Sequence, residues 1–429
     1  MATQTTTEDH KSWKVRFFSI WGGQALSLIG SQLVQFALIW WLTTETGSAT
    51  VLTTATLVGL LPSVVLGPFV GALVDRWSRK RIMLLADAMI ALVTGILAYL
   101  YAIGLVQVWT IYLALFFRSL GTGFHRPAMS SSTSLMVPKK HLTRVQGANQ
   151  TLQGGLNIIS APLGALLLEV LSMSGILSID VLSAVFAIIP LLFTAIPQPK
   201  TQPSQSSGGL LPMVWDDFKI GLRYVGNWPG LLGILIMALV INMIVTPAFS
   251  LLPLLVKNHF GGSALELGWV ESAFGIGTIL GGVVLSAWGG FRKRIVTSLA
   301  GSIFSSLGFF LIATAPSSLL VLAISGTFII GIFLTMVNGP IFAILQATVD
   351  PGMQGRVFTL VDSGASAMSP LGLIIAGPVA EFAGVQTWFL ASGFIMLTFG
   401  IIGFFIPAIL NIERNSKKNT TEQSQEPSS

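Results

Sequence analysis

Twelve stretches of about twenty or more mostly apolar residues recur along this chain, and that recurrence limits the possible folds more than any other feature. A helix needs roughly 20 such residues to cross about 30 Å of hydrocarbon, where every backbone polar group must be satisfied within its own segment. In the first half the stretches lie near 17–43, 51–74, 82–103, 107–129, 145–170 and 174–196. In the second half they lie near 229–256, 264–288, 295–314, 317–345, 356–383 and 386–409. The first is too long for a signal peptide and no small-residue cleavage site follows it, so it is expected to stay in the protein. Charged residues make up 9% of the chain and hydrophobic residues 52%, whereas a soluble chain carries about 25% charge. The expectation is an all-α membrane protein with twelve transmembrane helices in a lipid bilayer.

The residue inventory removes several kinds of chemistry. There is no cysteine, so disulfides, thiolate metal sites, iron–sulfur clusters and cysteine nucleophiles are excluded. The four histidines, His10, His125, His141 and His259, are scattered and form no H-E-x-x-H motif, so neither a metal nor another cofactor is expected. No Gly-Lys dipeptide occurs, which rules out a built-in P-loop ATPase. Work done by this chain would draw on a gradient or on a separate subunit. With no catalytic constellation in the spans, it is not expected to be an enzyme.

Twenty-one of the 23 lysines and arginines fall in alternate loops and at the two ends. By the positive-inside rule both termini are then cytoplasmic and the protein is multi-pass in the cell (plasma or inner) membrane. Topology accounts for the basic charge, and no nucleic-acid partner is expected. The organisation follows. Residues 1–16 form a cytoplasmic N-terminus and 17–196 a first six-helix bundle. Residues 197–228 form a cytoplasmic linker, polar and Pro/Ser/Gln-rich to 209, with a short amphipathic helix from Asp216 to Trp228. Residues 229–409 form a second six-helix bundle and 410–429 a polar tail expected to be disordered.

The halves repeat. Arg79-Lys80-Arg81 returns as Arg292-Lys293-Arg294, and Arg144 and Glu169 are echoed with the same spacing by Arg356 and Glu381. A repeat of half the chain's length predicts two pseudo-symmetric bundles. Gly67/Gly71 and Gly277/Gly281 form G-x-x-x-G pairs, read as close helix packing. Pro62, Pro162, Pro247, Pro340 and Pro370 interrupt spans as candidate kinks.

The segment Gly71-Ala-Leu-Val-Asp75-Arg76-Trp-Ser-Arg79-Lys80-Arg81 joins a small-residue helix end, a carboxylate at the membrane edge and a basic cluster. It resembles the G-x-L-a-D-r-x-G-r-k loop of the major facilitator superfamily, with Ser78 where that family usually has glycine. The Arg118–Ala128 segment and the Asp217–Gly230 segment are similar to those of its macrolide-efflux-like drug:proton antiporters. The spacing from Arg118 to Gly121 and the Ala161-Pro162-Leu163-Gly164-Ala165 run depart from the commonest antiporter patterns. The resemblance implies the major facilitator fold and gives Gly71, Asp75, Arg76, Arg79, Lys80 and Arg81 a role in gating and conformational coupling.

Other roles come from burial or from the resemblance. A guanidinium inside a span must face a partner or water; the resemblance assigns Arg118 to proton coupling, and the alternative is a structural carboxylate partner. Glu271 and Asp362 lie deep in helices that, by resemblance, border the central cavity, and are the other proton-coupling candidates. Asp87 and Asp180 are read as structural. The fold implies a cavity whose candidates are Gln24, Gln32, Gln35, Phe36, Phe117, Asn242, Phe249, Phe328 and Asn338, a lining suited to a large amphiphilic small molecule. The implied activity is export of lipophilic or cationic, macrolide-like drugs in exchange for protons, by alternating access and as a monomer. A siderophore or metabolite exporter is the alternative.

Overall fold

The computed structural model describes residues 7–196 and 210–413. These form fourteen α-helices and one 3₁₀ turn at Lys139–His141, with no strand among the described residues. The first six are α1 (Thr7–Thr46), α2 (Ala49–Arg76), α3 (Arg79–Ala102), α4 (Val108–Met136), α5 (Leu142–Val170) and α6 (Met173–Phe193). The amphipathic helix is α7 (Leu210–Gly226). After it come α8 (Pro229–Asn258), α9 (Ala264–Trp288), α10 (Arg294–Thr314), α11 (Leu320–Thr348), α12 (Pro351–Ala383), α13 (Val385–Phe405) and the short α14 (Pro407–Leu410).

Eleven of the helices are long and apolar enough to span a bilayer by hydropathy alone. The twelfth long helix is α4, which carries Arg118, His125, Arg126 and the run Ser130-Ser-Ser-Thr-Ser134, and these dilute its apolar average. Several boundaries differ from the sequence reading; α4, for one, runs on to Met136 rather than ending near 129. Helix α1 begins at Thr7, inside the stretch read as the N-terminal segment. Helix α7 begins at Leu210 rather than Asp216, because Pro212 falls in a first turn that needs no backbone donor. Trp228 and Pro229 then open α8, with proline at a helix start.

The described chain divides into two compact units, residues 1–45 with 58–210 and residues 46–57 with 211–429. The expected repeat is visible in helix order. In the first unit α3 packs on α4 and α6; in the second α10 packs on α11 and α13. One core of the first unit gathers Trp13, Phe17 and Ile20 of α1, Val70 and Val74 of α2, Ile82 and Met83 of α3, Ala128 and Met136 of α4, Val145 of α5 and Leu191 of α6. In the second unit, α9 and α11 meet backbone to backbone. A Cβ on Gly277 or Gly281 would collide with the carbonyls of Phe328 or Ile332, and one on Gly331 with that of Phe274. Helix α7 rests on the same unit. Gly221 faces the Arg356 carbonyl, Val225 is buried, and the Tyr224 hydroxyl donates to Asp350 Oδ2 at 3.3 Å. Burial raises the Tyr224 phenol above its ordinary pKa.

Candidate functional site

Among the described residues of the first unit two carboxylates are buried, and their partners differ in kind. Asp180 of α6 is 1% exposed and pairs with the Arg118 guanidinium of α4. Arg118 also donates to Thr94 Oγ1 of α3 and, through its other terminal nitrogen, to the Ser31 carbonyl of α1 at 3.3 Å. Asp180 accepts further from Ser31 Oγ at 2.9 Å and Thr94 Oγ1 at 3.2 Å. Four helices thus converge on one ion pair whose carboxylate also takes two hydroxyl donors, further hydrogen bonds of the kind that let a buried pair be tolerated. The guanidinium keeps its proton under all ordinary conditions, so this knot has a fixed charge.

The second carboxylate, Asp87 of α3, is 5% exposed. Its Oδ2 accepts from Gln24 Nε2 of α1 at 2.8 Å, and its Oδ1 lies 3.4 Å from His125 Nε2 of α4. That nitrogen is buried and has no hydrogen-bond partner of good geometry. Gln24 and His125 also form part of the wall of a cavity of about 290 Å³. Its other polar walls are Arg126, Ser130 and Thr133 of α4 and Gln146, Asn149 and Gln153 of α5. Trp21 closes one side, donating its indole N–H to Asn149 Oδ1 at 2.7 Å.

The gating candidates divide. Gly71, Asp75 and Arg76 fall in the last turns of α2, and their side chains lie outside the described residues. Arg79 opens α3, is buried, and donates to the Ser131 carbonyl of α4 at 3.4 Å. Lys80 Nζ donates to the Leu192 carbonyl at 2.8 Å, where the last turn of α6 leaves acceptors unfilled. Arg81 is exposed. Two of the three basic residues that follow α2 therefore fasten α3 to its neighbours.

Of the proton-coupling candidates, Arg118 has Asp180 as its partner. Glu271 on α9 is half-buried and Asp362 on α12 is exposed; no hydrogen bond or ion pair among the described residues reaches either carboxylate. The cavity candidates scatter. Gln24 lines the 290 Å³ cavity and is also bound to Asp87, and Phe36 is buried against Gly164. Gln35, Phe117 and Asn338 are exposed, while Gln32, Asn242, Phe249 and Phe328 are half-buried. Asn242 donates to the carbonyl one turn back, Ala238 O at 3.0 Å, and Phe249 packs on Phe274 with ring centroids 4.6 Å apart.

Sequence reasoning missed the Asp87–His125 pairing and the amides of α5. Sequence alone reads Asp87 as structural and His125 as one of four scattered histidines, because no signal in one dimension joins residues on separate helices. It also read Glu381 only as a residue near the membrane surface. In the second unit its carboxylate accepts from the Thr50 backbone N–H at 3.0 Å, Thr50 Oγ1 at 2.9 Å and Ser48 Oγ at 3.1 Å, capping the start of α2.

Comparison with known proteins follows this geometry. The family profile described as Major Facilitator Superfamily matches residues 20–369 and 232–428. Macrolide efflux protein A of Streptococcus pyogenes is 34% identical over 395 residues, which cover 92% of this chain and 96% of that protein. Multidrug efflux pump Tap of Mycolicibacterium fortuitum is 28% identical over 403 residues, covering 90% and 95%. Among solved structures, the nucleoside transporter NupG aligns with a TM-score of 0.67 over 91% of this chain and 98% of that one, at 15% identity, a likeness of fold alone.

Proposed function

The chain belongs to the Major Facilitator Superfamily, and from that membership we propose that it is a secondary transporter that exports lipophilic or cationic drugs of macrolide-like character in exchange for protons. The observation that carries this reading is the 34% identity to a macrolide efflux protein along nearly the whole of both chains. The multidrug pump relative, similar over nine-tenths of this chain, supports efflux as the direction.

In this reading the two units alternate access to opposite sides of the membrane, and substrate and proton compete for the same conformational equilibrium. Glu271 and Asp362 are the carboxylates assigned to proton exchange in the second unit, since an acid on a spanning helix without a polar partner is a functional group by default. Arg118, bound to Asp180, supplies fixed charge. The loop bearing Gly71, Asp75, Arg76 and Arg81 couples conformational change to the cytoplasmic side, with Arg79 and Lys80 anchoring it. Gln32, Gln35, Phe117, Asn242, Phe249, Phe328 and Asn338 contribute to substrate recognition. The protein works as a monomer in the plasma or inner membrane with both termini in the cytoplasm.

The test is accumulation of a labelled macrolide and a fluorescent cationic dye in pump-deficient cells expressing the full chain. Reduced accumulation that a protonophore restores is the expected result. Unchanged accumulation of both compounds with correctly inserted protein overturns the drug-export reading.

A further inference from the structure

The first unit answers one problem, a buried carboxylate, in two ways. Asp180 is given an arginine, whose charge is permanent, together with two hydroxyl donors. Asp87 is given a neutral amide on one oxygen and a histidine on the other. Histidine is the side chain whose charge changes in the physiological range. The Asp180 carboxylate is thus paired with a permanent cation. The Asp87 knot carries a net negative charge while the imidazole is neutral and none once it is protonated. A single buried negative charge is costly, and a proton that neutralises it changes how the helices around it pack.

Position adds a route for that proton. His125 stands both at the wall of the 290 Å³ cavity and 3.4 Å from Asp87 Oδ1, with Asp87 behind it. Apolar residues such as Leu28, Met129 and Leu152 make up much of the wall, and the amides and hydroxyls set among them give water partners next to His125. The charged groups on the surrounding elements are few. Helix α1 presents Gln24 and Trp21, and α5 presents Gln146, Asn149 and Gln153, none of them ionisable. Helix α3 supplies Asp87 and α4 supplies His125 and Arg126, while Arg118 of α4 is bound to Asp180 of α6. At the start of α3, Arg79 and Lys80 donate to backbone carbonyls.

We infer that His125 and Asp87 together hold one exchangeable proton, taken from water in the amide-lined cavity and returned to water during the transport cycle. The proton adds to the imidazole, the resulting imidazolium is held by the Asp87 carboxylate, and its departure restores the neutral ring; no other bond forms or breaks. Gln24 is a positioning residue that fixes the carboxylate toward the ring. The inference rests on the proton-exchange reading above and gives that exchange a site in the first unit.

Two measurements on the purified full-length chain test it. The first needs no substrate. Proton uptake on a jump from about pH 8 to about pH 5.5, the range in which an ordinary imidazole changes charge, is read with a soluble pH dye. His125→Asn should take up about one proton fewer per chain than the wild type; equal uptake overturns the inference. The second uses proteoliposomes and a labelled macrolide. Uphill transport driven by a pH gradient should fall roughly tenfold in His125→Asn and Asp87→Asn, within the usual range for coupling between two linked sites. Exchange of labelled for unlabelled macrolide, without a gradient, should persist, and Asp87→Glu should recover part of the uphill rate. Parallel loss of exchange and uphill transport in both variants, with no rescue by Asp87→Glu, marks a merely structural pair and overturns it. A wild type that moves no macrolide removes the drug-export reading, while the proton count still decides the site.

Discussion

Replacing Arg118 by methionine removes the guanidinium and keeps most of the side-chain volume. Asp180 is left 1% exposed with Ser31 Oγ and Thr94 Oγ1 as its surviving donors. Removing one partner of a buried ion pair costs about 3–5 kcal/mol, and two retained hydroxyl donors put this case near the lower end, at about 3 kcal/mol. For a unit of roughly 200 residues, the size of the first unit, each kcal/mol moves the midpoint by roughly 2–4 °C, so that unit should melt about 6–12 °C lower. The double variant Arg118→Met with Asp180→Leu removes both charges, and apolar replacement of a whole buried pair is close to neutral. It should recover most of the loss. The assay is thermal unfolding of the purified full-length protein in detergent, with Asp180→Leu alone completing the cycle. If Arg118→Met melts with the wild type, or the double variant is worse than both single ones, the fixed-charge reading of this pair is refuted.

Other expectations are quicker to check. Gly277→Val puts branched carbons against the Phe328 carbonyl; overpacking of this kind costs about 1–3 kcal/mol or more, and the yield of monodisperse protein on size exclusion should drop, with wild-type yield ruling out the contact. Lys80→Met leaves the Leu192 carbonyl without its cation, an effect of about 0.3–1 kcal/mol that should appear as faster amide exchange in the last turn of α6 and nowhere else. Glu381→Leu removes the acceptor for the Thr50 N–H, a loss of about 1 kcal/mol, read as faster exchange at the first amides of α2. Glu271→Gln should abolish protonophore-sensitive efflux while leaving insertion and melting unchanged, and retained efflux would remove Glu271 from the proton route.

The sequence disclosed what depends on local composition. Apolar stretches of about twenty residues and the alternation of basic loops are read one segment at a time, and the helices follow them. Helix α4 shows the limit of that method, since Arg118, His125 and five consecutive hydroxyl residues lower its apolar average while its partners lie on other helices. The expectation of close packing at Gly277 and Gly281 is matched by the carbonyls of α11 that face them. The site was less legible, because which side chains meet depends on how each helix is rotated and where it crosses its neighbours. Gln24, a cavity candidate, lines the 290 Å³ cavity while held by Asp87, and Phe36, another, is buried against Gly164. Asp87 and Asp180 resembled each other as isolated acids in spans, and only their partners separate a fixed pair from one that can change charge.

The seating of α7 has a practical consequence for dissecting the molecule. Gly221, Tyr224 and Val225 hold this helix to the unit that contains Asp350 and Arg356. A gene split within 197–209 therefore yields a second fragment that begins with its own docked helix. A split after 226 would strand that helix on the wrong fragment, leaving the apolar side of Val225 without its seat and the Arg356 backbone uncovered. Where co-expressed halves are used to ask which unit carries a given step, the cut belongs before Leu210.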